Sequence, residues 1–346
     1  MSRFLQLHLL TFFPPANMNR DDTGRPKTAI VGGAPRLRLS SQALKRAWRT
    51  SPIFATALAG HMGQRTQRMG EVVRDHLLAG GMVAEAAIAA ARDIAGVFGK
   101  IKDAKDKEPT RIEQLAFIAP EERTAALALA DRLLAGEKLD AKAAGLLRTA
   151  DTAADIALFG RMLAADPDYN REAAAQVAHA ITTHRVTVED DYYTAVDDLK
   201  TSAEDAGAGF LGEAAFGSGV FYLYLCVDRA LLLKNLGGDA ALAATAVGAL
   251  VEAAATAAPR GKQNSFAAHG RAEYLLAERG DQQPRTLAGA FARPVTGEDL
   301  MAQSITALTK FRCALKDAYG PGSDDDRIMH VGAKGSLADV IAFCRD

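Results

Sequence analysis

The sequence predicts an α+β or α/β sheet domain that is interrupted by a helical insertion, and three observations support this. Short strand-like segments alternate with helical segments toward both ends of the chain. Residues 60 to 175 are instead rich in alanine and leucine at helical spacing, and strand periodicity returns at Val177 to Val188 and at Val220 to Val227. With 346 residues, 49% hydrophobic and 24% charged, the chain is long enough for one large domain or two ordinary ones.

The N-terminal region is predicted to form three strands and a helix. Leucine alternates with other residues in the first strand, and a glycine pair separates the next two. These strands cover Phe4 to Phe13, Ala29 to Val31 and Leu37 to Leu39. Ser40 and Ser41 are N-cap candidates for a helix over Gln42 to Arg49. Because a helix N-terminus offers unpaired N–H groups, this junction can hold a phosphate together with the serine hydroxyls and Lys45.

The later elements are predicted from apolar spacing and from turn residues. The insertion has one helix that ends before Gly99 and another from Pro120 to Gly136. The acidic stretch from Glu189 to Gly219 lacks such spacing and is predicted to be loop-like. The C-terminal part is predicted to contain a helix over Asp239 to Ala257, a strand over Glu273 to Ala277, a helix through Met301 to Leu315 and a helix from Ser336.

Charge is unevenly distributed, although the formal net charge is only −1. Between Thr23 and Gly70 there is no acidic residue but there are nine basic ones, and we call this segment the basic island. They are Arg25, Lys27, Arg36, Arg38, Lys45, Arg46, Arg49, Arg65 and Arg68. Such an island on an otherwise acidic chain indicates a polyanion site, because neutralising phosphates releases condensed counterions. The alternative is a basic face that serves solubility.

Neither a membrane span nor a disulfide framework is expected. No apolar run approaches the roughly 18 residues that a span requires, and the first apolar segment lacks a signal-peptide cleavage site. We therefore expect a cytoplasmic protein. The widely spaced Cys226, Cys313 and Cys344 lie in apolar contexts and are expected to be reduced core residues.

Few residues suggest catalysis. His179 and His184 fall on opposite faces of a predicted strand, so we expect them to pack in the sheet rather than to chelate one metal ion. Three aspartate pairs could bind Mg²⁺ or could shape turns. They are Asp21-Asp22, Asp190-Asp191 and Asp197-Asp198. The glycine pairs match no nucleotide-binding motif, so no cofactor is expected.

A series of longer motifs runs across most of the chain. They are Asn19-Arg20-Asp21-Asp22, Lys27, Arg36 to Arg49 (RLRLSSQALKRAWR), Asp155 to Met162 (DIALFGRM), His179 to His184 (HAITTH), Tyr193 to Leu199 (YTAVDDL), Ser218 to Phe221 (SGVF) and Asn235 to Gly238 (NLGG). In content and order they resemble the backbone subunit of Cascade, the type I-E CRISPR surveillance complex. The resemblance implies an α+β fold with an RNA-recognition-motif (ferredoxin-like) palm, a helical fingers insertion and a β-hairpin thumb. The implied bounds are 1–58, 176–185 and 219–346 for the palm, 59–175 for the fingers and 186–218 for the thumb.

The resemblance also implies a set of guide-RNA contacts. Carried over by position, they are Arg20, Lys27, Ser40, Gln42, Lys45, Arg49, Lys262 and Gln263. Met162 and Tyr193 occupy positions at which the family wedges apolar side chains into the base stack. Without the resemblance, core packing would be the preferred interpretation of Met162.

The implied function is that of a non-catalytic subunit in antiviral defence, which polymerises head to tail along CRISPR RNA and holds its spacer for pairing with target DNA. The implied partners are CRISPR RNA, the target DNA strand through the guide duplex, copies of the chain in a hexameric helical filament, and other Cascade subunits. A rival is a metal-dependent ribonuclease that uses Asp21 or Asp22, because type III CRISPR backbone subunits look alike in fold and cut bound RNA with an aspartate. A helical scaffold without RNA is a third possibility, against which the basic island argues.

The acidic stretch suggests how copies could assemble. Seven acidic residues occur between Glu189 and Asp205, against one lysine. Complementary charge predicts that these carboxylates contact the basic island of the adjacent subunit, at Arg36, Arg38 or Arg46.

Overall fold

The fold is mixed α+β and is built around one large sheet. The computed structural model describes residues 2–137, 145–163, 166–195 and 210–346. The strands are β1 (Phe4–Ala16), β2 (Thr28–Val31), β3 (Ala34–Leu39), β4 (Gln64–Thr66), β5 (Ala116–Ile118), β6 (Ala175–Val177), β7 (Ala180–Thr182), β8 (Glu189–Ala195), β9 (Phe210–Asp228), β10 (Ala272–Gly280) and β11 (Asp325–His330). The helices are α1 (Ser41–Arg49), α2 (Pro52–Ala57), α3 (Met69–Ala79), α4 (Ala84–Gly96), α5 (Pro120–Leu134), α6 (Ala154–Phe159), α7 (Arg229–Asn235), α8 (Ala240–Thr256), α9 (Gln263–Phe266), α10 (Leu300–Tyr319) and α11 (Leu337–Arg345).

The main sheet runs in the order β11-β10-β1-β9-β7-β3-β2, and β6 and β8 also pair with β9. The ladders β1–β10, β10–β11, β2–β3, β3–β7, β7–β9 and β8–β9 are all antiparallel. Of the two predicted classes, α+β is therefore correct and α/β is wrong. β9 lies in the middle of the sheet and contains the strand predicted at Val220 to Val227. β4 and β5 form a separate two-stranded sheet.

The chain divides into two compact units. The sheet unit comprises Met1–Ile53, Val177–Cys226 and Leu250–Asp346, and the helical unit comprises Phe54–Gln176 and Val227–Ala249. In the sheet unit, Leu10 of β1, Tyr222 of β9 and Leu276 of β10 belong to one buried apolar cluster. Phe291, from the connection between β10 and α10, and Leu308 of α10 complete it. In the helical unit, α3, α4 and α5 form a core from their small and branched apolar side chains. The helices predicted before Gly99 and from Pro120 are confirmed as α4 and α5.

β1 is buried on both faces over most of its length. Leu5, Leu7 and Leu9 are fully buried, and so are Gln6 and His8. The Gln6 side-chain carbonyl accepts hydrogen bonds from the Tyr224 hydroxyl at 2.9 Å and from the Arg285 backbone N–H at 2.7 Å. The second face is thus a polar core whose groups satisfy one another.

Glu278 of β10 is the centre of that polar core. Its carboxylate accepts both terminal nitrogens of Arg285 at 2.9 and 3.0 Å and the Arg312 Nε–H at 2.8 Å, and it lies 3.2 Å from His8 Nε2. Burial alone would raise the pKa of Glu278, but the hydrogen bonds and charges of these partners hold it well below its ordinary value. Burial lowers the pKa of His8, whose Nδ1 lies 2.8 Å from the Tyr222 hydroxyl.

The acidic stretch departs from its loop-like prediction. Glu189 to Ala195 form β8, which pairs with Phe216 to Phe210 of β9, and all seven β8 residues are exposed. β8 is held by backbone pairing with β9 and has no buried face. Its sequence therefore shows no alternation of apolar and polar residues. The predicted strand from Val177 to Val188 is shorter in the structure, which has only β6 and β7 there.

Two further expectations concern cysteines and membranes. Cys226 and Cys344 are buried, as expected, whereas Cys313 is exposed on α10, so the prediction of a core position is wrong for it. In the part of the chain that the structure describes, every helix is too short or too polar to cross a bilayer.

Candidate nucleic-acid interface

The segment between β1 and β2 is a closed loop that carries two of the predicted RNA contacts, Arg20 and Lys27. Arg20 is exposed and forms an isolated bridge with Pro26. The Lys27 backbone N–H donates to the carbonyl of Asn19 at 2.8 Å. The Asn19 side-chain oxygen also accepts the backbone N–H of Ser40 at 2.8 Å. Asn19 therefore joins this loop to the start of α1.

α1 is held by a capping bond at its N-terminus and by its buried side. Ser40 is the N-cap, as predicted, and its hydroxyl accepts the Ala43 N–H at 3.4 Å. Leu44 and Trp48 are buried, and the Trp48 indole N–H donates to the carbonyl of Ala257 at 3.2 Å. That bond fixes α1 to the segment that follows α8.

The polar residues of α1 lie on its other side. Gln42 is exposed, while Lys45 and Arg49 are half-buried. The first turn contains no acidic residue, so no carboxylate there offsets the positive end of the helix dipole. Burial lowers the pKa of Lys45, because its ammonium group has lost part of its hydration. An anion bound beside this ammonium would compensate for that loss.

Lys262 is the N-cap of the short helix α9, which begins at Gln263, and both lie in the connection from α8 to β10 that packs against the end of β1. A Cβ atom at Gly261 would lie 2.3 Å from the carbonyl oxygen of Met18, so the two backbones touch and only glycine fits. The loop is thereby held beside the segment that leads to Arg20. Three stretches of the sheet unit thus meet around α1, and they carry all eight residues predicted to contact the guide RNA.

Arg36 of the basic island does not face solvent. It is fully buried on β3, where its two terminal nitrogens donate to the carbonyls of Thr182 at 2.8 Å and Phe291 at 3.0 Å. Burial lowers the pKa of Arg36. The prediction that Arg36 pairs with an acidic residue of the next subunit is therefore wrong, because this guanidinium is a core group.

His179 and His184 each have their own hydrogen-bond partner. The Arg38 guanidinium donates to His179 Nδ1 at 2.8 Å, and burial together with that charge lowers the pKa of His179. His184 Nε2 accepts the backbone N–H of Val220 at 3.1 Å, which leaves the ring proton on Nδ1, and burial lowers its pKa. His179 is exposed and His184 is half-buried, and both lie just outside the strands β6 and β7, so the prediction that they pack as strand residues is wrong for His179.

Met162 lies on the helical unit and is 78% exposed, so its core-packing alternative is wrong. The residues on either side of it are buried. Arg161 forms an ion pair of 2.6 Å with the buried Glu122, and the Leu163 N–H donates to the Asn170 side chain at 2.6 Å. These anchors hold the backbone on both sides while Met162 projects outward.

Tyr193 lies on β8 opposite Gly212 of β9. Its ring covers this glycine, since a Cβ atom at Gly212 would lie 2.4 Å from the ring carbon Cζ. The side chain remains 45% exposed, and the neighbouring Tyr192 is 66% exposed. The β8–β9 hairpin thus presents aromatic surface to solvent.

Comparisons with known proteins give a family match and two similar solved structures. The model of a family described as CT1975-like protein matches residues 5–340. The chain belongs to this family. It is similar to a chain of a solved structure named "CRISPR RNA-guided surveillance complex, pre-nicking", with a TM-score of 0.84, 31% identity, and coverage of 97% of this chain and 95% of that one. A chain of a second structure, "CRISPR RNA-guided surveillance complex", has a TM-score of 0.73, 26% identity, and coverage of 97% and 94%. Comparison with curated proteins gave no significant match. The resemblance to Cascade subunits is confirmed.

In this family member, the acidic hairpin already contacts the basic island within one chain. Asp190 of β8 forms an ion pair of 2.7 Å with Arg25, and both side chains are about half exposed. Four of the seven acidic residues lie outside the described part of the chain: Asp197, Asp198, Glu204 and Asp205.

Asp21, a candidate metal ligand of the rival hypothesis, shapes the loop that carries it. One carboxylate oxygen accepts the backbone N–H and hydroxyl of Thr23 at 3.0 and 2.8 Å and the Arg25 N–H at 3.0 Å. The hydrogen bonds from Thr23 lower the pKa of Asp21 most. Over residues 2–137, 145–163, 166–195 and 210–346, no three acidic, histidine or cysteine side chains converge as a metal site. The geometry favours the turn-shaping interpretation of Asp21.

Proposed function

We propose that this chain is a non-catalytic CRISPR RNA-binding subunit that polymerises head to tail along the guide RNA and forms the helical backbone of a type I-E Cascade complex. The sheet unit would act as an RNA-recognition-motif-like palm and the β8–β9 hairpin as a thumb. The spacer would be held for base pairing with the target DNA strand, since a backbone-directed protein leaves the bases free to pair. Six copies would form the filament and join other Cascade subunits in antiviral defence.

One observation carries this proposal. Arg20, Lys27, Lys45 and Lys262 come from three separate stretches, and the bonds of Asn19 and Trp48 and the contact of Gly261 bring those stretches together on one unit. Lysine and arginine at such a site recognise phosphates and carry no base specificity. A subunit whose RNA varies in sequence needs this kind of contact.

Isolation of the bound RNA tests the proposal. The chain, purified from cells that transcribe a CRISPR array, is expected to retain small RNA whose sequencing reveals CRISPR repeats. RNA of random cellular origin, or no RNA, would contradict it. Electron microscopy of the purified particles then counts the copies per RNA.

Absence of catalysis is part of the proposal and has its own assay. Labelled guide RNA incubated with the protein and Mg²⁺ or Mn²⁺ is expected to stay intact, because Asp21 is engaged in its loop. Metal-dependent cutting that disappears in Asp22→Ala or Asp21→Asn would instead establish the ribonuclease. The asparagine variant retains a side-chain oxygen for the turn, so it separates metal binding from loop folding.

A further inference from the structure

Two arginines next to Met162 send their side chains into the core of the helical unit. Arg161 precedes Met162 in the sequence, and Arg171 lies opposite Arg161. The backbone N–H of each arginine donates to the carbonyl of the other, at 2.9 and 2.8 Å. The side chains of Arg161 and Arg171 are 0% and 1% exposed, whereas Met162 is 78% exposed. A backbone bridge between two buried arginines thus lies beside an exposed apolar side chain.

Each arginine is paired with its own buried carboxylate. Arg161 donates to Glu122 Oε2 at 2.6 Å, and Arg171 donates to Asp151 Oδ2 at 3.0 Å. Both carboxylates are fully buried. The second oxygen of Glu122 accepts the backbone N–H of Arg148 at 3.0 Å. The core of the helical unit therefore encloses two complete ion pairs.

The carbonyl of Arg148 connects these two ion pairs. It accepts Arg161 Nη2 at 3.1 Å and Arg171 Nη2 at 2.8 Å. Arg161 Nη2 also donates to the carbonyl of Tyr169 at 3.2 Å, and Arg171 Nη1 donates to the carbonyl of Asn235 at 3.3 Å. The guanidinium groups thereby fix three separate backbone segments to the bridge beside Met162.

Stability alone does not account for two buried ion pairs at this place. Desolvation offsets much of the attraction between buried charges, so apolar side chains of the same volume are often at least as stabilising. The directional hydrogen bonds of a guanidinium do, however, restrict the surrounding backbone to one conformation. Both pairs converge on the bridge next to Met162, where a fixed backbone conformation determines the direction of an exposed side chain.

We propose that the ion pairs of Arg161 with Glu122 and of Arg171 with Asp151 are positioning residues, which hold Met162 against a base of the bound RNA and keep this base out of its stack. The inference rests on the proposed function and concerns side chains that do not themselves touch RNA. Methionine is unbranched and flexible, so a wedge made from it depends on a rigid backbone for its direction. An apolar contact with a base is tolerant of sequence, as a guide of variable sequence requires.

The test measures base stacking and RNA affinity separately. The full chain is saturated with RNA that carries 2-aminopurine, an adenine analogue whose fluorescence increases when it is unstacked, at one position at a time. The position at which Met162→Ala loses the emission of the wild type identifies the contact. Glu122→Gln and Asp151→Asn are expected to lose emission at the same position, while their RNA affinity in anisotropy titrations stays that of the wild type. Each variant replaces a carboxylate by an amide of the same shape, so the volume of the core is preserved.

The matched control is Glu137→Gln, which makes the same chemical change in an exposed ion pair of the helical unit, with Arg132 at 2.7 Å. Its emission is expected to equal that of the wild type. Arg171→Lys keeps a positive charge for Asp151 but loses the planar fork, so it is expected to lose emission as the amide variants do. Thermal unfolding followed by circular dichroism verifies that each variant is folded at the assay temperature, and Arg171→Lys decides the test if an amide variant is unfolded.

Two outcomes overturn the proposal. If the folded amide variants and Arg171→Lys unfold at lower temperature but keep the wild-type emission, the ion pairs serve stability alone. If Met162→Ala keeps the wild-type emission at every position, Met162 does not displace a base. In both cases the wild type still binds CRISPR RNA, so the proposed function stands. A wild-type chain that retains no CRISPR RNA would instead contradict the proposed function.

Discussion

Arg36 is the member of the basic island whose replacement we expect to destabilise the sheet unit without removing an RNA contact. Its guanidinium is fully buried and donates to the carbonyls of Thr182 and Phe291. Arg36→Met keeps the aliphatic length but removes both donors. Hydrogen bonds from a charged group contribute about 1.5–3 kcal/mol each, so the two together correspond to about 3–6 kcal/mol. Because burying a guanidinium is itself costly, we expect a loss of unfolding free energy near the lower end of this range.

The assay is urea unfolding followed by tryptophan fluorescence. Trp48 is the single tryptophan of the chain and is fully buried in the sheet unit, so its emission reports on that unit. A loss of about 3 kcal/mol is a large fraction of the roughly 5–15 kcal/mol that stabilises a typical domain. The control is Arg38→Met, since Arg38 is half-buried and donates to His179 at the surface. It is expected to cost about 1 kcal/mol or less.

Two results would refute this reasoning. An Arg36→Met variant with the wild-type midpoint and slope would show that the two carbonyls are satisfied without the guanidinium. A variant that unfolds normally but binds RNA as weakly as Lys45→Glu would show that Arg36 faces the nucleic acid.

Lys45→Glu is expected to weaken RNA binding equally for unrelated RNA sequences. In anisotropy titrations, it should lower the slope of log affinity against log salt concentration by about 0.7. A loss of affinity confined to one sequence would contradict a backbone contact. Glu278→Gln weakens the ion pairs with Arg285 and Arg312 and is expected to cost about 3–5 kcal/mol in urea unfolding. The folded-state pKa of Glu278 is depressed, so its contribution to the free energy of unfolding is fully present above the unfolded-state pKa of about 4.3. That contribution is lost as pH falls toward the folded-state pKa, so the wild type and Glu278→Gln should converge in stability in acid. Gly261→Ala forces a Cβ atom against a backbone carbonyl and is expected to cost about 1–3 kcal/mol, and an unchanged unfolding midpoint would show that the loop can move away.

The elements that were predictable from sequence are those in which local signals agree with packing. Ser40 ends an extended segment and caps α1, whose apolar spacing buries Leu44 and Trp48. Pro120 begins α5 at the position where a missing N–H costs nothing, and Gly136 follows its last turn. Each of these signals lies within one or two turns of the element that it predicts.

The misassigned parts depend on partners that are distant in sequence. Charge alone cannot show that Arg36 is buried, because its acceptors, Thr182 and Phe291, are more than 140 residues away in the chain. β8 was missed because an exposed strand has no apolar period, and β11 because it lies at the edge of the sheet with mostly polar residues. For the candidate interface, the motifs supplied the residues, whereas the bond from Asn19 to Ser40 and the contact of Gly261 with Met18 are tertiary and have no local signature.

β9 has a consequence for how the hairpin can change in length. This strand of 19 residues pairs with β8 at one end, where Phe216 lies opposite Glu189, and with β7 in the sheet, where Tyr222 lies opposite Ile181. Side chains alternate between faces with a period of two, so one residue inserted between these two ladders would reverse the hairpin and carry Tyr193 to its opposite side. Two inserted residues would preserve the facing of Tyr193 and move it outward by roughly 7 Å. Viable length changes at this point are therefore expected to occur in even steps.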